Sequence, residues 1–265
     1  FIAIDEEGGK VSRLKNVSGF EKTSSAEYLG TQSDSAVRSV AKTLGSQLAE
    51  YGFNLDFAPV LDVNVDPNNP VIGGVDRSFS SDPVVVSEKG IAFMRGLMDA
   101  NVVPVGKHFP GHGSSTADSH LGFVDISDTY KSYELDPFKD ACTAGLPAVM
   151  IAHVFNKNVD ATYPATLSKK HIDILKNIGC TNQLIISDDM DMRAISSEYG
   201  RKEALVRALN AGVDVLIISN NVVGYDSNAF FEARRIIFDA VKSGEISEAR
   251  INEVYKKIQN FKKGI

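Results

Sequence analysis

The sequence predicts an α/β protein built on a parallel sheet, and two observations carry that prediction. Six short runs rich in Val, Ile and Leu recur along the chain, and stretches of helical period separate them. Strands of nearly continuous hydrophobicity belong to a sheet covered on both faces, and their alternation with helices makes them parallel. Alternation alone fits a barrel or an open doubly wound sheet. No GxGxxG follows a strand here, and the expectation is a barrel.

The elements follow in order. FIAI (1–4) is the first strand run and is followed by Asp5. Residues 35–52 read as a helix, because Val37, Val40, Ala41, Leu44 and Leu48 stack at three- and four-residue spacing and Gly52 closes it. FNLDFAPVLDV (53–63) reaches Asp62, and a second helical stripe fills 84–99. VVPVGKHF (102–109) ends on Lys107 and His108, and AVMIAHVF (148–155) carries His153 after Gly145. A helix over 168–178 ends at Gly179 before QLIISDD (183–189), with Asp188 and Asp189 last. A helix over 201–211 ends at Gly212 before VDVLIIS (213–219), which leads into Asn220, and 228–262 reads as two helices. Positions such as these glycines suit helix C-caps.

In each run the polar group comes at the C-terminal end. Parallel α/β proteins build their sites there, since those strand ends open on one face. The length of 265 residues suits one barrel, and with no linker, short repeat or low-complexity tract the expectation is a single domain over 1–265. A net charge of −6 without a Lys/Arg block longer than two argues against a nucleic-acid partner. No run of ~18 apolar residues is present, so no membrane-spanning segment is expected. Cys142 and Cys180 lack CxxC spacing and read as two small buried apolar side chains. The chain begins inside an apolar run without Met, which suggests residues upstream of it. The absence of a disulfide pattern or visible export signal leans to a cytoplasmic location.

Three of the five histidines crowd into residues 103–120. His108 and His112 have i, i+4 spacing, but Pro110, Gly111 and Gly113 argue against the helix that a zinc pair needs. No HExxH supports a metal through His108, His112, His120 and His153, and neither metal nor cofactor is expected. Asp118, two residues before His120, is placed to orient the ring and support its protonated form. A serine triad has no GxSxG to rest on. Residues 113–117 are small and polar, as suits a mobile loop carrying a catalytic group. Asp188 is a candidate nucleophile, although Ser187, Asp188 or Asp189 could equally cap a following helix.

The blocks KHFPGHG (107–113) and DSH (118–120) stand with DEEGGKVSRL (5–14), NLDFAPVLDVN (54–64), NPVIGG (69–74), DRSFSSDP (76–83), AHV (152–154), PATLS (164–168) and SDDMDM (187–192). In collinear order, from residue 1 to about 219, they resemble glycoside hydrolase family 3, specifically its β-N-acetylglucosaminidases. The resemblance implies a TIM-type (β/α)8 barrel, here apparently lacking its first βα unit. It implies a retaining reaction on terminal β-N-acetylglucosaminides, with cell-wall muropeptide fragments as the usual target. By the same likeness Asp188 is the nucleophile, and His120 is the acid/base with Asp118 as its partner. Asp5, Arg13, Arg77, Lys107 and His108 match the sugar-binding positions. A histidine side chain ordinarily titrates near ~6.5, so it suits donating and then accepting a proton. The chain departs from the pattern at Glu6, where the family usually has glutamine. Phosphorolysis and a non-catalytic amino-sugar-binding barrel are the alternatives.

Overall fold

The computed structural model describes residues 1–221 and 224–263. The main sheet comprises β1 (Ala3–Ile4), β2 (Leu55–Asp56), β3 (Val103–Phe109), β5 (Ala148–Ile151), β7 (Leu184–Asp189) and β8 (Val215–Ile217), hydrogen-bonded in that order. All five pairings are parallel, with Leu55 opposite Val103 and Val149 opposite Ile185. β4 (Val124–Asp125) and β6 (Val154–Phe155) form a separate parallel pair. Strand order equal to chain order is the barrel pattern, and an open doubly wound sheet would reverse it.

Between the strands run α1 (Ala26–Gly30), α2 (Asp34–Glu50), α3 (Pro83–Asp99), α4 (Asp136–Thr143), α5 (Lys169–Asn177), α6 (Arg193–Ser196) and α7 (Arg201–Ala211). α8 (Ala229–Ser243) and α9 (Glu248–Lys262) end the described chain. Ser33, Asp82, Ser168 and Ser247 cap α2, α3, α5 and α9 by accepting a backbone N–H. Period-2 alternation sorts the strand side chains between the two faces. Val149, Ile151 and Ile185 face Phe138 of α4 and Ile172 and Leu175 of α5. Val37, Ala41, Leu44 and Leu48 of α2 pack with Phe93 and Leu97 of α3.

On the other face Leu55, Val103, Val105, Met150 and Ile186 gather around Ile258 and Phe261 of α9. α9 also ties the two edges of the sheet together. Arg250 Nη2 donates to Val213 O (2.8 Å) and Asp214 Oδ1 (2.9 Å), just before β8, and Lys257 reaches Asp214 at 2.5 Å. At its far end the Phe261 ring lies 5.7 Å from that of Phe1, beside β1. Both edges meeting one helix requires the sheet to curl. Six strands form this partial barrel, with β1 and β8 as its edges among the described residues.

Two expectations are corrected. The run 53–63 yields only the two residues of β2, because Pro59 has no N–H for the ladder. The chain stays beside β3 through Val105 N–H to Ala58 O (2.9 Å) and Lys107 N–H to Pro59 O (3.1 Å). Cys142 and Cys180 are not separate thiols: they form a disulfide with Cα atoms 5.3 Å apart. Their separation of 38 residues gives no sign of this. The packing of α4 beside the turn after α5 creates it.

Candidate active site

β1 runs into an alternation of carboxylates. Asp5, which lines the pocket, and the buried Glu7 both meet the ammonium of Lys107 from the end of β3; the Glu7 contact is 2.5 Å. Arg77, from the segment before α3, forks onto Glu7 with Nε–Oε2 of 2.7 Å and Nη2–Oε1 of 2.6 Å. Burial raises the pKa of Glu7, but Arg77 and Lys107 outweigh it and hold the carboxyl down at about 2. Burial also opposes the charge on Lys107, which is 2% exposed, yet Asp5 and Glu7 raise its pKa. Arg13 arrives from the loop after β1 and places Nη2 2.8 Å from Asp5 Oδ2. These groups form a charged clamp of alternating sign that presents both donors and acceptors to a polyhydroxylated ligand.

His108 is fixed from two sides. Its Nδ1 lies 2.6 Å from Asp62 Oδ2, and Arg77 Nη2 donates to its Nε2 across 3.2 Å. That pattern suits the tautomer with its proton on Nδ1. Asp62 is fully buried and also accepts His112 N–H at 2.8 Å. It therefore stands behind the site as an anchor. His112 is buried too, with Nε2 3.1 Å from Ser119 Oγ, and burial with the neighbouring His108 pushes its pKa down to about 4. The loop turns at Gly113, where an added Cβ would lie 1.6 Å from Val63 O. Only glycine permits that approach.

This loop delivers Asp118 and His120. Asp118 Oδ1 accepts His120 N–H at 2.8 Å and lies 2.7 Å from Nδ1, leaving Nε2 to the ligand side. The His120 side chain is 62% exposed. At the end of β7 the adjacent carboxylates diverge. Both line the pocket, but Asp188 accepts Asp189 N–H at 2.8 Å, while Asp189 Oδ1 accepts the N–H groups of Asp191 (3.1 Å) and Ser219 (2.9 Å). Burial raises the pKa of Asp188, but His153, His108, the Asp189 N–H and His120 overcome it and keep the carboxylate below its usual range. Neither Ser187, Asp188 nor Asp189 caps α6, whose N-cap is Met192.

Asp5, Arg13, Arg77, Lys107, His108, His120 and Asp188 all line one pocket at the C-terminal strand ends. Phe57, Met150, Met192 and Ile217 give it apolar wall, and Ser219 and Asn221 add polar groups. Asp118 stands behind His120 rather than on the lining. Glu7 and the anchoring part of Asp62 were not foreseen. The i, i+2 relation of Glu7 to Asp5 in a strand-end segment is the signal that could have found the first. His108 and His112 are each committed to hydrogen bonds, so their sequence spacing reflects loop anchoring.

A family model described as "Glycosyl hydrolase family 3 N terminal domain" matches residues 1–261. Beta-hexosaminidase LpqI of Mycobacterium tuberculosis is 39% identical over 224 residues, 82% of this chain and 57% of that protein. A beta-hexosaminidase of Tolumonas auensis is 38% identical over 231 residues, 84% of this chain and 67% of that protein. The solved structure of a glycoside hydrolase family 3 beta-N-acetylglucosaminidase from Paenibacillus sp. superposes with a TM-score of 0.90 at 35% identity. It covers 98% of this chain and 49% of its own. This chain thus spans roughly half to two thirds of these relatives.

Proposed function

The chain belongs to glycosyl hydrolase family 3, and from that premise we propose that it is a retaining β-N-acetylglucosaminidase acting on terminal β-linked N-acetylglucosamine. The observation that carries this reading is the pairing, in one pocket, of a carboxylate held ionised at Asp188 with an Asp118-held imidazole at His120. Asp188 attacks the anomeric carbon as the glycosidic C–O bond breaks, and His120 Nε2 gives its proton to the leaving oxygen. The product is a glycosyl ester on Asp188. His120 then takes a proton from water, whose oxygen attacks the same carbon and frees Asp188. Two inversions give net retention. Asp118 holds the ring and offsets the charge that it gains. Asp5, Arg13, Arg77, Lys107 and His108 grip the sugar, so that binding energy is realised as the ring distorts.

Release of nitrophenol from the β-N-acetylglucosaminide and the β-glucoside tests this with the whole protein. Cleavage of the first alone is expected, and Asp188→Asn should lower kcat by roughly 10⁴-fold or more. Equal activity in the variant would show that Asp188 is not the nucleophile. Added phosphate should leave rate and product unchanged; a sugar phosphate would favour phosphorolysis. Binding of the sugar without turnover would favour the non-catalytic barrel.

Residues 1–265 are read as one catalytic barrel domain, which a sheet continuous from β1 to β8 supports. Cell-wall fragments ending in N-acetylglucosamine are the natural substrate on this reading, with the family likeness as support. No helix among the described residues is long and apolar enough to cross a membrane. The cytoplasmic expectation leaned on the absence of a disulfide pattern and of a visible export signal, and the structure removes the first of these supports. With Cys142 and Cys180 bonded, an oxidising location fits better.

A further inference from the structure

Glu6 lies in sequence between Asp5 and Glu7, the two partners of Lys107, and is fully buried. Its Oε2 accepts two backbone bonds, from Arg13 N–H at 2.6 Å and Leu14 N–H at 3.0 Å. Those bonds fold the loop after β1 back on itself, which brings the Arg13 guanidinium to Asp5. The Glu6 N–H in turn donates to Asp56 Oδ1 at 3.0 Å, and Asp56 is also fully buried.

Each of these two carboxyl groups keeps one oxygen, Glu6 Oε1 and Asp56 Oδ2, buried with no hydrogen-bond partner among the described residues. Two buried ions with bare oxygens are costly. A proton on Asp56 turns its bare oxygen into a donor and leaves one buried charge where there were two. The charges around Asp56 are consistent with this. Burial pushes its pKa well up; Asp5 and Glu6 add to the rise, while the Glu6 N–H and Lys107 oppose it.

We propose that Glu6 is a positioning residue for the sugar-binding Arg13, and that it forms with Asp56 a carboxyl pair holding one proton. Glu6 shapes the loop through Oε2 and is tied to Asp56 through its own N–H. Loss of that proton at alkaline pH leaves two buried negative groups, which loosens the loop and with it the grip of Arg13. The consequence for sugar binding rests on the glycosidase reading; the pair itself does not.

Two measurements on the whole protein separate these. Infrared spectra at neutral pH should contain the carbonyl stretch of a buried protonated carboxyl that Asp56→Asn lacks. Glu134, another buried carboxyl with its pKa pushed up to about 7, is common to both proteins and cancels in the difference. No such band in the difference between wild type and Asp56→Asn overturns the pair, whatever the activity. In kinetics on the nitrophenyl N-acetylglucosaminide, KM should climb at alkaline pH in the wild type and lose that limb in Glu6→Gln, whose amide N–H needs no shared proton. Glu6→Ala should raise KM about fivefold or more at every pH while kcat stays within about twofold. An identical KM–pH course in the wild type and Glu6→Gln overturns the positioning role. If no substrate is cut while the infrared band is present, the pair stands and the glycosidase reading fails.

Discussion

His120, the proton donor of the proposed mechanism, stands on an exposed rim with its ring bonded to Asp118. A proton donor there matters most when the leaving oxygen is a poor one. His120→Ala should therefore cost roughly 10²–10⁴-fold on an alkyl or sugar aglycone and far less on nitrophenol; equal losses on both would remove it from the acid role. Asp118→Asn should reduce kcat with little change in KM, since Asp118 stands behind the lining. At this scale the sequence exposed the groups at strand ends, because a polar residue closing an apolar run has few other uses. Glu7 escaped notice beside Asp5, and its link to Arg77 depends on a contact 70 residues away in sequence. Glu6 also had no readable direction, since only the alternation after β1 turns it away from the pocket.

α2 and α3 were legible at the scale of elements because a stripe such as Val37, Ala41, Leu44 and Leu48 has one physical use, burial against a neighbour. All four are completely buried, and Leu44→Ala should lower stability by about 2–5 kcal/mol in denaturant titration. β2 was less legible, because hydrophobicity continues through Phe57 to Val63 while the regular ladder ends at Asp56 and gives way to irregular bonds to β3. The disulfide was not legible at all. Closing a loop of 38 residues should contribute about 3–4 kcal/mol, which a double Cys142→Ser, Cys180→Ser variant would lose. Thiol titration of the unfolded, unreduced protein should find no free thiol; two would mean that the bond does not form.

For the whole molecule, pH acts through groups far from the pocket as well as in it. His171 is buried with neither ring nitrogen hydrogen-bonded, and burial pushes its pKa from 6.5 down to about 4. His112 is shifted down likewise, to about 4. A base that binds its proton less readily when folded leaves the unfolded chain to take it first. Stability from each is therefore complete above pH 6.5 and falls as pH drops toward 4, by on the order of 3 kcal/mol apiece. His171→Leu should flatten this slope relative to the wild type, and an unchanged slope would mean that His171 titrates normally. Glu134 acts the opposite way: burial lifts its pKa to about 7, so its contribution is lost as pH rises from 4.5 through 7.

Ile258 and Phe261 of α9 fill the concave side beneath Met150 and Ile186, while Asp188 and His120 stand at the strand ends above. In the proposed reaction, substrate, leaving group and incoming water share the opening at those strand ends. On the proposed mechanism the departing aglycone must clear it before water reaches the ester on Asp188, so the second step queues behind the first. Small alcohols entering by the same route should intercept the sugar and leave with it as new glycosides of unchanged anomeric configuration.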